Sequence, residues 1–110
     1  MTEQPRILIV DDEQIVRESL TNWLKEESYQ VEAAENGTLA LEKIRQTPFQ
    51  VVLLDLKMPG MDGIQVLTEL KKDFPDIEVI IMTAYGSVNT AVEAIKAGAY
   101  DYIVKPFDPE

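Results

Sequence analysis

The stretch VVLLD, residues 51–55, decides the fold. It is an unbroken valine and leucine run ended by one acid. A strand with one face in water alternates apolar and polar residues. A continuous β-branched and leucine run instead fits a central strand buried on both faces, as parallel sheets require. Three further runs share the design: RILIVD (6–11), VIIMT (79–83) and YIVK (102–105). Each ends in a polar residue, so Asp55, Asp11, Thr83 and Lys105 occupy equivalent positions, and Asp11 is followed at once by Asp12.

Amphipathic stretches separate these runs. Residues 13–27 carry Ile15, Val16, Leu20, Trp23 and Leu24 at spacings near 3.6, which predicts a helix, with Asp12 as its N-cap. QVEAAE (30–35) reads as a short strand, Asn36-Gly37 as a turn, and TLALEKIRQ (38–46) as a helix. After 51–55 comes the loop LKMPGMDG (56–63). A helix over 64–73 follows, with Ile64, Leu67 and Leu70 in phase, and Pro75 stops it. AYGS (84–87) is a loop. Residues 88–97 form a helix with Val88, Ala91, Val92 and Ile95 on one face, and Gly98 is its C′ residue. AYDYIV (99–104) is the fifth strand, and FDPE (107–110) follows with no covering helix. The order βαβαβαβαβ implies a parallel sheet with crossover helices. All four strand-end residues then emerge at the carboxyl edge, where open α/β sheets bind ligands.

Composition narrows the chemistry. The chain has 110 residues, which is one domain by length, and 45% are hydrophobic, enough for a single core. With 20 acids against 10 bases the net charge is −10, which argues against nucleic-acid binding and against an anionic membrane surface. There is no cysteine and no histidine. Disulfides, thiolate or imidazole metal ligation and histidine-dependent nucleophile pairs are therefore excluded. Any metal must be held by oxygen, which points to Mg²⁺, Ca²⁺ or Mn²⁺. No signal-peptide h-region or bilayer-length apolar run is present, so a soluble cytoplasmic protein is the expectation.

Three carboxylates gathered at one sheet edge repel unless a cation neutralises them, and Mg²⁺ suits such a cluster. With a metal bound, one aspartate can act as a phosphoryl acceptor. The transferred group carries charge on its oxygens, for which Lys105 supplies a cation and Thr83 a hydroxyl. Singly, each residue has a plainer reading: a helix-capping pair for Asp11-Asp12, a turn residue for Asp55, a strand-end threonine for Thr83, a solvated charge for Lys105. Their joint placement at four matching strand ends favours the phosphoryl site.

These residues carry a family resemblance. ILIVDDE (7–13), VVLLDLKMPGMDG (51–63), VIIMTAYG (79–86) and AGAYDYIVKPF (97–107) together resemble the CheY-like receiver domain of two-component response regulators, across essentially the whole chain. The wording of 79–107 is similar to receivers of sigma-54-dependent, NtrC-type transcription activators. The resemblance implies a flavodoxin-like doubly wound five-stranded sheet in the order 2-1-3-4-5, and a single receiver domain over residues 1–110. It implies that Asp55 is the phosphoacceptor, and that Asp12, Asp55 and the backbone carbonyl of Lys57 ligate Mg²⁺, with Asp11 acting through water. Thr83 becomes the switch hydroxyl, Tyr102 the aromatic that turns inward with it, and Lys105 the phosphoryl-binding cation. The Lys105-Pro106 bond is implied to be cis, a form that is energetically mild before proline. In the loop over the site, Gly63 permits a tight turn, and Pro59 and Gly60 place backbone groups.

The implied partners are a sensor histidine kinase and an output domain in cis. Direct nucleic-acid binding and membrane contact are not implied. The implied activity is signalling, with catalysis limited to the domain's own phosphorylation and dephosphorylation. Two alternatives stay open. One is a Mg²⁺-dependent aspartyl phosphatase, although the usual second acid two residues after the nucleophile is here Lys57. The other is an interaction module that is never phosphorylated. The chain also departs from the family. The last helix is missing after strand 5, which predicts self-association (a homodimer) through the uncovered face or reduced stability. Lys57 and Tyr85, at positions that tune dephosphorylation, are neither carboxylate nor amide, so a long-lived phospho-Asp55 is expected.

Overall fold

A computed structural model describes residues 4–56, 63–83 and 88–104. Nine elements follow one another in strict alternation: β1 (Arg6–Val10), α1 (Gln14–Glu26), β2 (Gln30–Ala34), α2 (Gly37–Gln46), β3 (Val51–Asp55), α3 (Gly63–Asp73), β4 (Glu78–Thr83), α4 (Val88–Lys96) and β5 (Asp101–Val104). The five strands form one parallel sheet in the order β2-β1-β3-β4-β5. This is the flavodoxin-like order that the family resemblance implies. The chain runs outward from β1 to β2 and then returns to the other side of β1. The change of direction opens a crevice between the carboxyl ends of β1 and β3, where such folds place their ligands.

Strand alternation divides the core into two layers. Leu8, Val10, Val52, Leu54, Val79 and Ile81 face one side and are buried against Ala40, Leu41 and Ile44 of α2, Val66, Leu67 and Leu70 of α3, and Ala94 of α4. On the opposite side Ile7, Ile9 and Met82 pack with Leu20 and Leu24 of α1. Among the described residues α1 is the helix on that second face, and Val51, Leu53 and Ile103 there are partly rather than fully buried. The expectation that the last helix is missing concerns the chain beyond Val104, outside the described residues.

Which stripe of a helix is buried differs from the periodicity reading in two places. On α1, Leu20 and Leu24 enter the core, but Ile15 is 72% exposed and Trp23 is 37% exposed. On α4 it is Ala94 that is fully buried, while Val92 and Ile95 stay exposed.

The helix ends differ from their predicted caps as well. The N-cap of α1 is Glu13, not Asp12, and its side chain makes no capping bond. The preceding residue-pair is used otherwise: the Glu13 N–H donates to Asp11 Oδ1 at 2.9 Å. Asn36, read as a turn, caps α2 by accepting from the Leu39 N–H at 2.8 Å. Gly98 is the C′ residue of α4 as expected, with φ +114°. The Gly98 N–H donates to Ile95 O and the Ala99 N–H to Ala94 O, the paired bonds of a Schellman ending. α1 ends the same way on Ser28, with φ 74° and bonds from the Ser28 N–H to Lys25 O and from the Tyr29 N–H to Leu24 O. A serine is a costly occupant of that left-handed position. No described helix is long and apolar enough to cross a membrane.

Candidate acidic site at the carboxyl edge of the sheet

Two adjacent strands and one loop build the site. β1 and β3 pair in a register that ends at Val10↔Leu54. Asp11 and Asp55 are the next residue on each strand, so the register itself sets them side by side at the crevice. Asp11 continues the β1–β2 ladder by donating its N–H to Ala34 O at 3.2 Å. Asp12, one residue on, lies in the loop toward α1. Oxygens of the three carboxylates all lie within 4.8 Å of one another, with Asp11 and Asp55 buried and Asp12 exposed. Asp11 is 0% and Asp55 is 4% exposed.

Such a cluster carries its own demand. Two ionised carboxylates about 4.8 Å apart repel by roughly 3 kcal/mol at an effective dielectric near 20. A cation held between them reverses the sign of that term. The donor set is entirely oxygen, compact, and open to water on the Asp12 side, which is what Mg²⁺ takes and what Zn²⁺, preferring nitrogen and sulfur, does not.

The surrounding frame is tight. The Leu56 N–H donates to Met82 O at 3.2 Å, which ties the end of β3 to β4. The Gly63 N–H then donates back to Leu56 O at 3.3 Å, so α3 begins directly against the end of β3. A Cβ on Gly63 would stand 2.6 Å from Leu56 Cα and 2.9 Å from the Asp55 backbone oxygen. Gly63 is therefore demanded by close approach of two backbones, while the loop turn suggested for it lies outside the described residues.

Of the other sequence-derived candidates, Thr83 is the last residue of β4 and pairs with Val104. Tyr102 lies on β5 opposite Ile81 and is 39% exposed. Lys57, Tyr85, Lys105 and Pro106 fall outside the described residues. One residue escaped the sequence reading. Arg17, in the opening of α1, donates from Nη1 to the backbone carbonyl of Asp11 at 2.8 Å. Its signal was a cation near a helix N-terminus, where the dipole disfavours it.

Comparison with known proteins agrees with this geometry. The profile of the response regulator receiver domain family matches residues 7–110. The transcriptional regulatory protein ZraR of Klebsiella oxytoca is 50% identical over 110 residues, covering 96% of this chain and 24% of that protein. The regulatory protein AtoC of Escherichia coli (strain K12) is 46% identical over 108 residues, covering 98% of this chain and 23% of its own. The chain thus spans about a quarter of the length of these relatives. Among solved structures, the receiver domain of NtrX from Brucella abortus superposes with a TM-score of 0.90 at 37% identity, over 94% of this chain and 88% of that one. A CheY-like response regulator receiver domain protein from Methanospirillum hungatei gives 0.92 at 37% identity, over 97% and 86%.

Proposed function

The chain belongs to the response regulator receiver domain family, and on that premise we propose that it is a phosphorylation-controlled switch whose acceptor is Asp55. The observation that carries the reading is the convergence of Asp11, Asp12 and Asp55 within 4.8 Å at the β1–β3 crevice. Asp12 and Asp55 would hold Mg²⁺, Asp11 would contribute through water, and the Lys57 carbonyl would be the further ligand that family membership implies. Bound there, Mg²⁺ supplies charge neutralisation for the carboxylates and for the phosphoryl oxygens.

The chain's own residues do the rest. A carboxylate oxygen of Asp55 attacks phosphorus in line, an O–P bond forms, and the N–P bond of a phosphohistidine donor breaks. The electron pair stays with the imidazole nitrogen, which takes up a proton. The donor is a sensor histidine kinase, so the absence of histidine from this chain is no obstacle. Lys105 balances charge on the phosphoryl group, and Thr83 donates its hydroxyl to it. Burial of Asp55 limits access of water to the acyl phosphate. Thr83 and Tyr102 sit on the adjacent strands β4 and β5, and movement of the first toward the phosphoryl group releases space for the second. Phosphorylation then shifts a two-state equilibrium that an output domain in cis reads. The names of the relatives, transcriptional and regulatory proteins four times as long, fit an output in transcription.

Intact mass after incubation with Mg²⁺ and acetyl phosphate, beside an Asp55→Asn control, tests this. One phosphoryl group on the wild type alone is the expected result. No adduct on either chain would overturn the acceptor assignment and leave the interaction-module reading standing.

A further inference from the structure

We infer that Arg17 is a positioning residue for the acidic site: its guanidinium clamps the backbone carbonyl of Asp11 and thereby holds the β1–α1 junction in the shape that presents Asp11 and Asp12 to the cation. The inference rests on the Mg²⁺ reading above and adds to it a residue that never touches the metal.

The junction must do something unusual. Within three residues the chain leaves a buried strand, presents two carboxylates at one point, and starts a helix whose N-cap side chain makes no capping bond. Hydrogen bonds on both sides of the junction hold it. The Asp11 N–H is tied to Ala34 O at 3.2 Å, which anchors the end of β1 to β2. The Glu13 N–H donates to Asp11 Oδ1 at 2.9 Å, which sets the rotation of the Asp11 carboxylate. The Arg17 Nη1 donates to Asp11 O at 2.8 Å, which sets the plane of the peptide linking Asp11 to Asp12. The Arg17 N–H donates to Glu13 O at 3.1 Å, the opening bond of α1, so the arginine side chain projects from a fixed first turn. A hydrogen bond with a charged donor, half-withdrawn from water, is among the stronger single contacts a loop can have. The orientation of the Asp11–Asp12 peptide sets where Asp12 stands relative to the buried Asp11. Fixing it fixes the separation of the two carboxylates.

Electrostatics alone predicts the reverse effect. A guanidinium on the backbone carbonyl of a cluster residue adds positive charge near the site, so by charge alone its loss would tighten Mg²⁺ binding. Positioning predicts that its loss weakens binding. The sign of the change therefore separates the two roles.

The test is calorimetric titration of the chain with MgCl₂, on wild type, Arg17→Met, Arg17→Lys and, as a distant control, Arg6→Met. Partners that orient metal ligands from outside the coordination shell typically change affinity by 10-fold or more, and Arg17→Met is expected to bind Mg²⁺ about tenfold more weakly. Arg17→Lys, which keeps a charged donor of similar reach, recovers most of that loss, and Arg6→Met leaves affinity unchanged. Amide exchange without metal supplies a second readout: in Arg17→Met the Glu13 N–H exchanges faster while the Leu39 N–H, capped by Asn36, does not. Should Arg17→Met fail to fold, Arg17→Gln carries the same comparison. Unchanged or tighter Mg²⁺ binding by the variant, with wild type binding normally, would overturn the positioning role alone. A wild type that takes up no Mg²⁺ would instead overturn the metal reading, and this inference with it.

Discussion

Gly63 and Asp55 are held so close that a methyl group on the first would press within 2.9 Å of the backbone oxygen of the second. The start of α3 and the end of β3 thus share one volume, and Asp55 cannot shift without α3. Gly63→Ala is expected to cost about 2 kcal/mol of stability, as overpacking against rigid backbone does. It should also slow adduct formation with acetyl phosphate. Gly98→Ala is the matching control. It is strained by φ +114° and meets Lys71 Cγ at 3.1 Å, yet lies on the α4–β5 turn. That variant should lose comparable stability while keeping the adduct rate.

The closeness of the three carboxylates predicts that the metal-free chain gains stability when one of them is neutralised. Asp55→Asn removes one charge from the buried pair and should raise the thermal midpoint in EDTA by about 4 °C, near 1 kcal/mol for a domain of this size. Mg²⁺ at about 100 times its dissociation constant should stabilise the wild type by about 2.7 kcal/mol and the variant by far less. Thermal melts with and without Mg²⁺ check both signs. Equal melting of the two chains in EDTA would show that repulsion at the cluster is already relieved.

Ser28 offers a stabilising change remote from the site. Its φ of 74° places an L side chain in the left-handed region at the end of α1. Ser28→Gly removes a penalty of about 1 kcal/mol while both Schellman bonds, made by main-chain groups, persist. A midpoint about 4 °C higher with unaltered phosphorylation is the expected outcome. A lower midpoint would mean that the serine side chain holds something the backbone does not.

On the proposal that Asp55 accepts the phosphoryl group, the lifetime of the adduct depends on what can orient water there. Lys57 and Tyr85 offer no carboxylate or amide for that task. Replacing Lys57 by Asn and Tyr85 by Glu should shorten the life of the adduct, by about tenfold if general-base positioning is restored. Decay followed by intact mass after removing the phosphodonor reads it directly, and an unchanged decay rate would remove these two positions from the account.

Much of the site was readable because the fold converts sequence position into spatial position by a simple rule. Strand ends in a parallel sheet share an edge, so VVLLD and RILIVD bring Asp55 and Asp11 together whatever the loops do. The misreadings have one physical source. Periodicity says that Ile15, Trp23, Val92 and Ile95 belong to an apolar stripe, but which member of the stripe meets the sheet depends on the angle at which the helix lies, and all four stay exposed. Of the two roles that the sequence suggests for Asp12, the cap falls to Glu13, while the acidic cluster at the crevice holds Asp12.

Composition and spacing were enough for the parallel α/β order, the oxygen-only donor set and the identity of the three acids, since each follows from residue type and from strand periodicity, which are local. Other features came from packing. They are the 4.8 Å closeness of the carboxylates, the steric demand at Gly63, the left-handed Ser28 and the grip of Arg17 on the Asp11 carbonyl. Each of these depends on where separately folded backbone segments come to rest against one another. That is decided by how two layers of side chains fill the space on either side of the sheet, which no local pattern encodes.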